Sequence, residues 1–368
     1  MKKEDNNIRA FFALLRAGLW ETDLQLLPFG KVDFAEVYRL AEEQSVVGLI
    51  AAGLNHVVDT KIPKQDLLQF IGATLQMEER NKSMNYFIGV LVNRMRREGI
   101  YTLLVKGQGV AQCYERPLWR ACGDVDFYLS SENYKKAKAF LAPLAISVEK
   151  EDSYRNHLAM TIEPWAVELH GTMYCEISHR INKGLDEVHY DLFCGGAVRS
   201  WINDSEYVFL PSPDNDVIII FTHYIQHFYV GGIGIRQICD LCRLMWKYKE
   251  IDHRKLERRL KAMGLMQEWK AFASFSVDYL GMPVEAMPLY SSDARYSRKA
   301  KKICRVIIET GNFGHNKDES YRLRYPRIVE KTITFFRRFG EFVRIATIFP
   351  GNTPKFFLTY VFRRVKAL

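Results

Sequence analysis

The stretch "KGQGVAQCYERPLWRACGDVDFYL", residues 106–129, begins directly after one short apolar run and ends with a second. The first run is "IYTLLV" at 100–105, and the second is "DVDFYL" at 124–129, which two serines follow. Both have the length and composition of buried strands. The stretch also contains glycines, a lysine, an arginine and paired aspartates. The packing of buried strands does not require these charged side chains, so this stretch is the first candidate functional site.

On the C-terminal side of this stretch, helical and strand periods alternate. "SENYKKAKAFLA" (131–142) has helical spacing, and "AISVEK", "HLAMTIE" and "AVELHG" are typical of three further strands. Alternation between residues 86 and 171 predicts a small α/β or α+β unit built on a mixed sheet.

The rest of the chain favours helices. Apolar positions recur at helical spacing in 5–19, 33–54 and 65–98, and the sequence beyond 175 is dominantly helical. We therefore expect an α+β protein with three parts: an N-terminal helical region at 1–85, a sheet core at 86–175, and a helical C-terminal region at 176–368.

Composition excludes several classes of protein. The 368 residues are 48% apolar and 26% charged, which is ordinary for a globular chain. No window approaches the roughly 18–20 uncharged apolar residues of a spanning helix, and the N-terminal residues lack a secretory pattern. We expect a cytoplasmic protein with reduced thiols, because the seven cysteines are odd in number and scattered. The pair in "CDLC" (239–242) has no second pair to complete a zinc site, which favours two buried helix residues.

Positive charge is concentrated in the C-terminal part. From Arg295 onward there are 18 Lys and Arg against 5 Asp and Glu, although the whole chain has a net charge of only +9. Aromatics alternate with arginines in this basic tail. Such a pattern fits RNA binding, an anionic membrane surface, or buried aromatic faces with solvated arginine edges.

The paired aspartates suggest metal chemistry. Side chains alternate along a strand, so Asp124 and Asp126 project from one face and Val125 and Phe127 from the other. Two close carboxylates repel and need positive charge between them, which a divalent metal supplies. Carboxylate ligands suit Mg²⁺. A plain surface pair is the alternative.

Groups suited to phosphate lie close by in the sequence. Gly107 and Gly109 follow a predicted strand and precede a predicted helix, where the backbone can approach a phosphate. Lys106 adds a charge at this turn, and Arg120 adds a fork that matches phosphate oxygens. The stretch contains neither a Walker A motif nor a dinucleotide fingerprint.

A third carboxylate comes from "AVELHG". Glu168 and His170 are two residues apart in a predicted strand and therefore share a face. Glu168 interrupts an apolar run, as either a functional group or a paired core glutamate, and His170 either orients it or packs in the core. Glu168, Asp124 and Asp126 would together form a cage that holds two metal ions. This hypothesis expects the three carboxylates to converge with no basic side chain between them.

The composite of motifs resembles a known family. Lys106-Gly107, Tyr114, Arg120, "GDVD" and "VELH" occur in the order seen in the uncharacterised nucleotidyltransferases of the DNA polymerase beta-like superfamily. The segments "HYIQHF", "GIRQICDL" and "ETGNFG" are similar to the same group. His223 and His227 in "HYIQHF" are one helical turn apart. They would bind zinc, cap the active-site cleft or form hydrogen bonds across helices. Arg236 and Asp240 in "GIRQICDL" have the same spacing and would form an ion pair on one helix.

The resemblance implies a polymerase-beta-like mixed sheet flanked by helices, and transfer of a nucleoside monophosphate to a hydroxyl or phosphate acceptor. It implies a nucleoside triphosphate donor such as ATP, and two Mg²⁺ ions held by Asp124, Asp126 and Glu168, with Glu168 alternatively taking the acceptor's proton. Lys106, Gly107, Arg120 and His170 would bind substrate. Lys106-Gly107 replaces the Gly-Gly or Gly-Ser of better-known relatives. The alternative is a catalytically silent protein that binds RNA or an anionic surface.

Overall fold

The structure, a computed structural model, describes residues 6–317 and 327–366 and contains a five-stranded mixed sheet. The strand order is β1-β2-β5-β4-β3. The strands are β1 (Leu103–Val105), β2 (Asp124–Tyr128), β3 (Ser147–Val148), β4 (His157–Ile162) and β5 (Trp165–His170). Four of the five fall within the runs that the sequence predicted as strands, and β5 begins one residue before its predicted run.

The sheet register aligns the acidic residues. β2 pairs antiparallel with β1 and parallel with β5, whereas β4 is antiparallel to β5. Asp126 therefore lies opposite Val105 on one side and opposite Glu168 on the other. This mixed sheet with surrounding helices confirms the predicted α+β class.

Helices precede, interrupt and follow the sheet. They are α1 (Asn6–Trp20), α2 (Phe34–Glu43), α3 (Val47–Leu54), α4 (Lys64–Arg97), α5 (Gly107–Ala111), α6 (Ser131–Leu141), α7 (His179–Phe193), α8 (Pro213–Val230), α9 (Ile235–Lys247), α10 (His253–Met263), α11 (Met266–Leu280), α12 (Ala294–Thr310), α13 (Arg327–Ala346) and α14 (Thr353–Lys366). The 34-residue α4 runs across position 85, where the sequence placed the first regional boundary.

Two buried clusters hold these elements together. One joins α1–α3 to α8–α12 and includes Phe11, Phe221 and Trp269. The other lies beneath the sheet and includes Phe127 and Leu169. The sheet face that carries Val125 and Phe127 is buried in the second cluster, so the opposite face of β2 is left to meet α8 and α9.

The region beyond 175, which the sequence predicts to be dominantly helical, also contains one pair of strands that the sequence analysis did not identify. β6 (Val198–Asn203) and β7 (Glu206–Pro211) form an antiparallel hairpin, with Asn203 opposite Glu206 across an Asp204 turn. Val208 and Leu210 bury their side chains in the sheet cluster. The turn residues Asn203 and Asp204, followed by an alternating apolar run, are a hairpin signal that the sequence does contain.

Cys239 and Cys242 are buried free thiols within α9, in agreement with the structural interpretation of "CDLC". None of the helices in 6–317 and 327–366 is both long and apolar enough to cross a bilayer.

The basic tail is helical where it is described, and residues 318–326 and 367–368 lie outside the described residues. Its aromatics divide into two sets. Phe342, Phe349 and Phe356 are buried, whereas Phe336 and Phe362 are each 66% exposed. Burial therefore explains only part of the aromatic content of the tail.

Candidate active site

A cavity of about 380 Å³ lies between helices α8 and α9 and the sheet face that carries Asp124 and Asp126. Its volume is in the range of small-ligand sites, which is roughly 300–1,000 Å³. All seven residues that the sequence singled out contribute to its wall: Lys106, Gly107, Arg120, Asp124, Asp126, Glu168 and His170. Side chains from α8, α9 and the turn after α12 complete it.

The two aspartates of β2 both face this cavity. Asp126 is 2% exposed, whereas Asp124 at the start of the strand is half-buried. The intervening Val125 is buried on the opposite side. Strand alternation therefore brings the two carboxylates together as the sequence predicts.

Glu168 reaches the same cavity from β5, and two histidines contact it. Its Oε2 lies 3.1 Å from His157 Nε2 and 3.3 Å from His170 Nε2. Burial alone would raise the pKa of Glu168, but the hydrogen bonds with His157 and His170 outweigh burial and hold this pKa far below its usual range. Glu168 is therefore an ionised carboxylate and a weak proton acceptor.

Basic side chains lie among the carboxylates, contrary to the sequence-based expectation. Lys106 Nζ is 2.7 Å from Asp126 Oδ1, and His170 Nε2 is 2.8 Å from the same oxygen. Burial would lower the pKa of His170, but its hydrogen bonds with Asp126 and Glu168 raise the pKa overall. The repulsion between buried carboxylates, for which the sequence offered only a metal, is here relieved by a lysine and a histidine.

Asp124 is the carboxylate that this arrangement leaves without a partner. Among the described residues its side chain has no hydrogen bond or ion pair. The negative charge of Asp126, followed by burial, raises the pKa of Asp124. A half-buried carboxylate that faces a cavity beside a second carboxylate has the donor chemistry of a divalent-cation ligand.

The closest group of metal-binding atoms differs from the predicted one. Within 6–317 and 327–366, the group of three with atoms all within 4.8 Å of one another is His157, Glu168 and His170. The trio of Asp124, Asp126 and Glu168 does not form such a group; Asp126 instead contacts Lys106 and His170, and His170 also contacts Glu168. His157 was missed by the sequence reasoning, although β4 alternation places it opposite His170.

The turn after β1 is strained at Lys106. Its backbone has φ 57° and ψ −144°, a region that only glycine adopts readily, at a cost of about 1–3 kcal/mol. This conformation directs the Nζ group to Asp126. Gly109 has a packing role instead, because a Cβ there would lie 2.9 Å from Leu210.

Asp240 forms an ion pair with Arg120, and not with Arg236 as the sequence predicted. Asp240 was expected to pair with Arg236, but it accepts hydrogen bonds from Arg120 Nε at 3.0 Å and Arg120 Nη2 at 2.6 Å. The hydroxyl of Tyr114 also donates to Asp240, at 2.7 Å. Arg120 is 6% exposed, so its fork is committed to Asp240.

The guanidinium of Arg236 also lies in the cavity wall, and it is not held by a carboxylate of the described residues. It lines the cavity and donates to the carbonyl of Ala121 at 2.6 Å, while its Nε is buried without a hydrogen-bond partner. No carboxylate among the described residues forms an ion pair with it. Burial, followed by the charge of Arg120, lowers its pKa. The sequence did not identify Arg236 as a ligand-binding residue, because the helical spacing to Asp240 offered a nearer partner.

The histidines of α8 form the wall opposite the sheet. The rings of His223 and His227 are 4.5 Å apart, and Phe313 lies 4.8 Å from His227. Burial lowers the pKa of His227 to about 4, with Lys106 contributing further, so this ring is neutral near pH 7. The cleft-lining interpretation of these histidines fits this position.

Residues 30–280 match a protein family described as uncharacterised nucleotidyltransferase. No curated protein matches the chain, and neither does any solved structure. The match contains the whole sheet together with Lys106, Asp124, Asp126, Glu168 and Arg236. Because it covers more than half of the chain, this protein belongs to the family of uncharacterised nucleotidyltransferases.

Proposed function

We propose that this protein is a Mg²⁺-dependent enzyme that transfers a nucleoside monophosphate from a nucleoside triphosphate to a hydroxyl or phosphate acceptor and releases pyrophosphate. The observation that carries the proposal is the pair of carboxylates on one face of β2, with Glu168 on the neighbouring strand of the same cavity. The unpaired Asp124 is the strongest single element of this arrangement.

Asp124, Asp126 and Glu168 would hold the metal. When bound, Mg²⁺ supplies positive charge that stabilises the transferring phosphoryl group and the departing pyrophosphate. The low pKa of Glu168 favours a role as a ligand over a role as the base that takes the acceptor's proton. His157 and His170 keep this carboxylate ionised and oriented.

Lys106 and Arg236 would bind the triphosphate. The flexible stem of Lys106 allows its Nζ to exchange Asp126 for phosphate oxygens when a metal neutralises that aspartate. Arg236 already faces the cavity with unused hydrogen-bonding capacity. Arg120 fixes the position of Asp240 on α9 through their ion pair, and it does not contact substrate in this mechanism.

Metal-dependent nucleotide binding tests this proposal. We expect at least one of ATP, CTP, GTP and UTP to raise the melting temperature in the presence of Mg²⁺ and to have no such effect in EDTA. The Asp126→Asn variant should lose the shift, because it removes a ligand and weakens the anchor of Lys106. Equal shifts with and without metal, or none with any nucleotide, would contradict the proposal.

A second candidate function is binding to an anionic surface through α13 and α14. Among the described side chains of this pair, the exposed apolar ones are Val329, Phe335, Phe336, Phe339, Val343, Leu358 and Phe362. Basic residues, including Lys331 and Lys355, occur on the same two helices. Exposed aromatics beside basic residues are typical of helices that lie on anionic membranes.

Vesicle sedimentation tests this second candidate. The protein should bind vesicles that contain phosphatidylglycerol, bind weakly to pure phosphatidylcholine, and dissociate as salt increases. Phe336→Ser combined with Phe339→Ser should reduce binding, whereas Asp124→Asn should not. Salt-sensitive RNA binding without vesicle binding would assign the surface to nucleic acid instead.

A further inference from the structure

Phe313 holds an unusual position beside the cavity. It lies 33 residues beyond the end of the family match, yet it forms part of the cavity wall and is 48% exposed. Its backbone is left-handed, with φ 51° and ψ 25°, a conformation that bulky side chains rarely adopt. Exposure and strain together show that core packing does not account for a phenylalanine here.

The turn that carries Phe313 is fixed on both sides. Asn312 accepts a hydrogen bond from Gln237 at 2.9 Å and donates one to Ser45 at 2.8 Å. A Cβ on Gly234 would lie 2.7 Å from the Asn312 side chain, so only glycine permits this approach. The polar neighbour anchors the turn, and the aromatic ring is left at the cavity.

The ring of Phe313 continues an aromatic wall. It meets the His227 ring at 4.8 Å with an interplanar angle of 68°, and His223 follows at 4.5 Å. The carboxylates, Lys106 and Arg236 lie elsewhere in the same cavity. The site therefore contains one charged region, suited to phosphates and metal, and one neutral region of aromatic faces.

We propose that Phe313, supported by His227, is the stacking surface for the nucleobase of the nucleotide substrate. This inference rests on the proposed function, because it takes the charged region as the site of the triphosphate. A phenylalanine face offers stacking without hydrogen-bond donors or acceptors, so it accepts purines and pyrimidines alike. Phe313 then contributes affinity for nucleosides, and base selectivity must come from other side chains.

The test compares ligands with and without a base. In the presence of Mg²⁺, dissociation constants are measured for the best-binding nucleoside triphosphate and for inorganic tripolyphosphate. Phe313→Ala should weaken nucleotide binding by roughly 5- to 150-fold and leave tripolyphosphate binding unchanged, because stacking on an aromatic is worth about 1–3 kcal/mol per base and each 1.4 kcal/mol is about tenfold in affinity. Phe313→Trp should retain nucleotide affinity, and Phe313→Leu should not, although it preserves apolar bulk.

Tyr86→Ala on α4 is the control, because it removes an exposed aromatic ring that is not part of the cavity wall and should change neither constant. Melting temperatures of all variants establish that each is folded. If the wild-type protein binds the nucleotide and Phe313→Ala binds it equally well, or if tripolyphosphate weakens in parallel, the stacking inference is wrong while the proposed function stands. If the wild-type protein binds no nucleotide with Mg²⁺, both are overturned.

Discussion

Replacing Asp124 with asparagine should lower nucleotidyl transfer by roughly a thousandfold or more, while the protein becomes no less stable. The loss follows because an amide cannot replace a carboxylate in neutralising and holding the metal. The retained stability follows because Asp124 has no partner among the described residues and is opposed by the charge of Asp126. Removing its charge relieves repulsion and breaks no hydrogen bond.

This opposition between activity and stability separates function from structure. Initial rates of transfer and melting temperatures are measured for the wild-type protein and the variant. The matched control is Asp204→Asn, which makes the same change at the exposed turn of the β6–β7 hairpin and should leave both quantities unchanged. A variant that retains activity would contradict the role of Asp124 as a metal ligand, and a variant that unfolds readily would show that Asp124 is a structural residue.

Replacing Asp240 with alanine should destabilise the protein by about 3–5 kcal/mol, because it leaves the buried charge of Arg120 unpaired. Asp240 accepts three hydrogen bonds from Arg120 and Tyr114, and its side chain and that of Arg120 are each 6% exposed. Urea denaturation measures the effect. Arg120→Lys should also lose stability, since a lysine cannot reproduce the fork.

A double-mutant cycle identifies the pair as the cause. Arg120→Met combined with Asp240→Leu should lose much less stability than the sum of the two single changes, because both charges leave together. Arg39→Ala, which breaks the ion pairs of Arg39 with Glu36 and Glu43 on the surface of α2, is the control and should cost only about 0.2–1 kcal/mol for each pair. If Arg120→Met instead raises the KM for nucleotide at unchanged stability, Arg120 contacts substrate as the sequence first predicted.

Local pattern was sufficient for most of the fold. Strand periodicity located all five strands of the sheet, and it placed Asp124, Asp126 and Glu168 on one side of the sheet. The hairpin at 198–211 was not identified, because the segments that follow it have helical spacing and the whole region was interpreted as dominantly helical. Its burial comes from packing against the distant sheet cluster, through Val208 and Leu210.

The pairing of charges within the site was beyond local pattern. Asp240 is four residues from Arg236 but pairs with Arg120, which is 120 residues away. Lys106 likewise reaches Asp126 only because a strained turn brings β1 beside β2. Phe313 enters the cavity from outside the matched region. Each of these contacts depends on how helices and sheet pack, and sequence spacing does not contain that information.

Nucleotidyl transfer is tested most directly by following a label on the nucleoside triphosphate. The protein is incubated with Mg²⁺, a cell extract as the source of acceptor, and each of the four triphosphates labelled at the α- or at the γ-phosphate. A nucleotidyltransferase should transfer the α label from at least one triphosphate, leave the γ label untransferred, release pyrophosphate, and lose transfer in Asp124→Asn. Transfer of the γ label alone, or of no label from any of the four, would contradict nucleotidyl transfer by this protein.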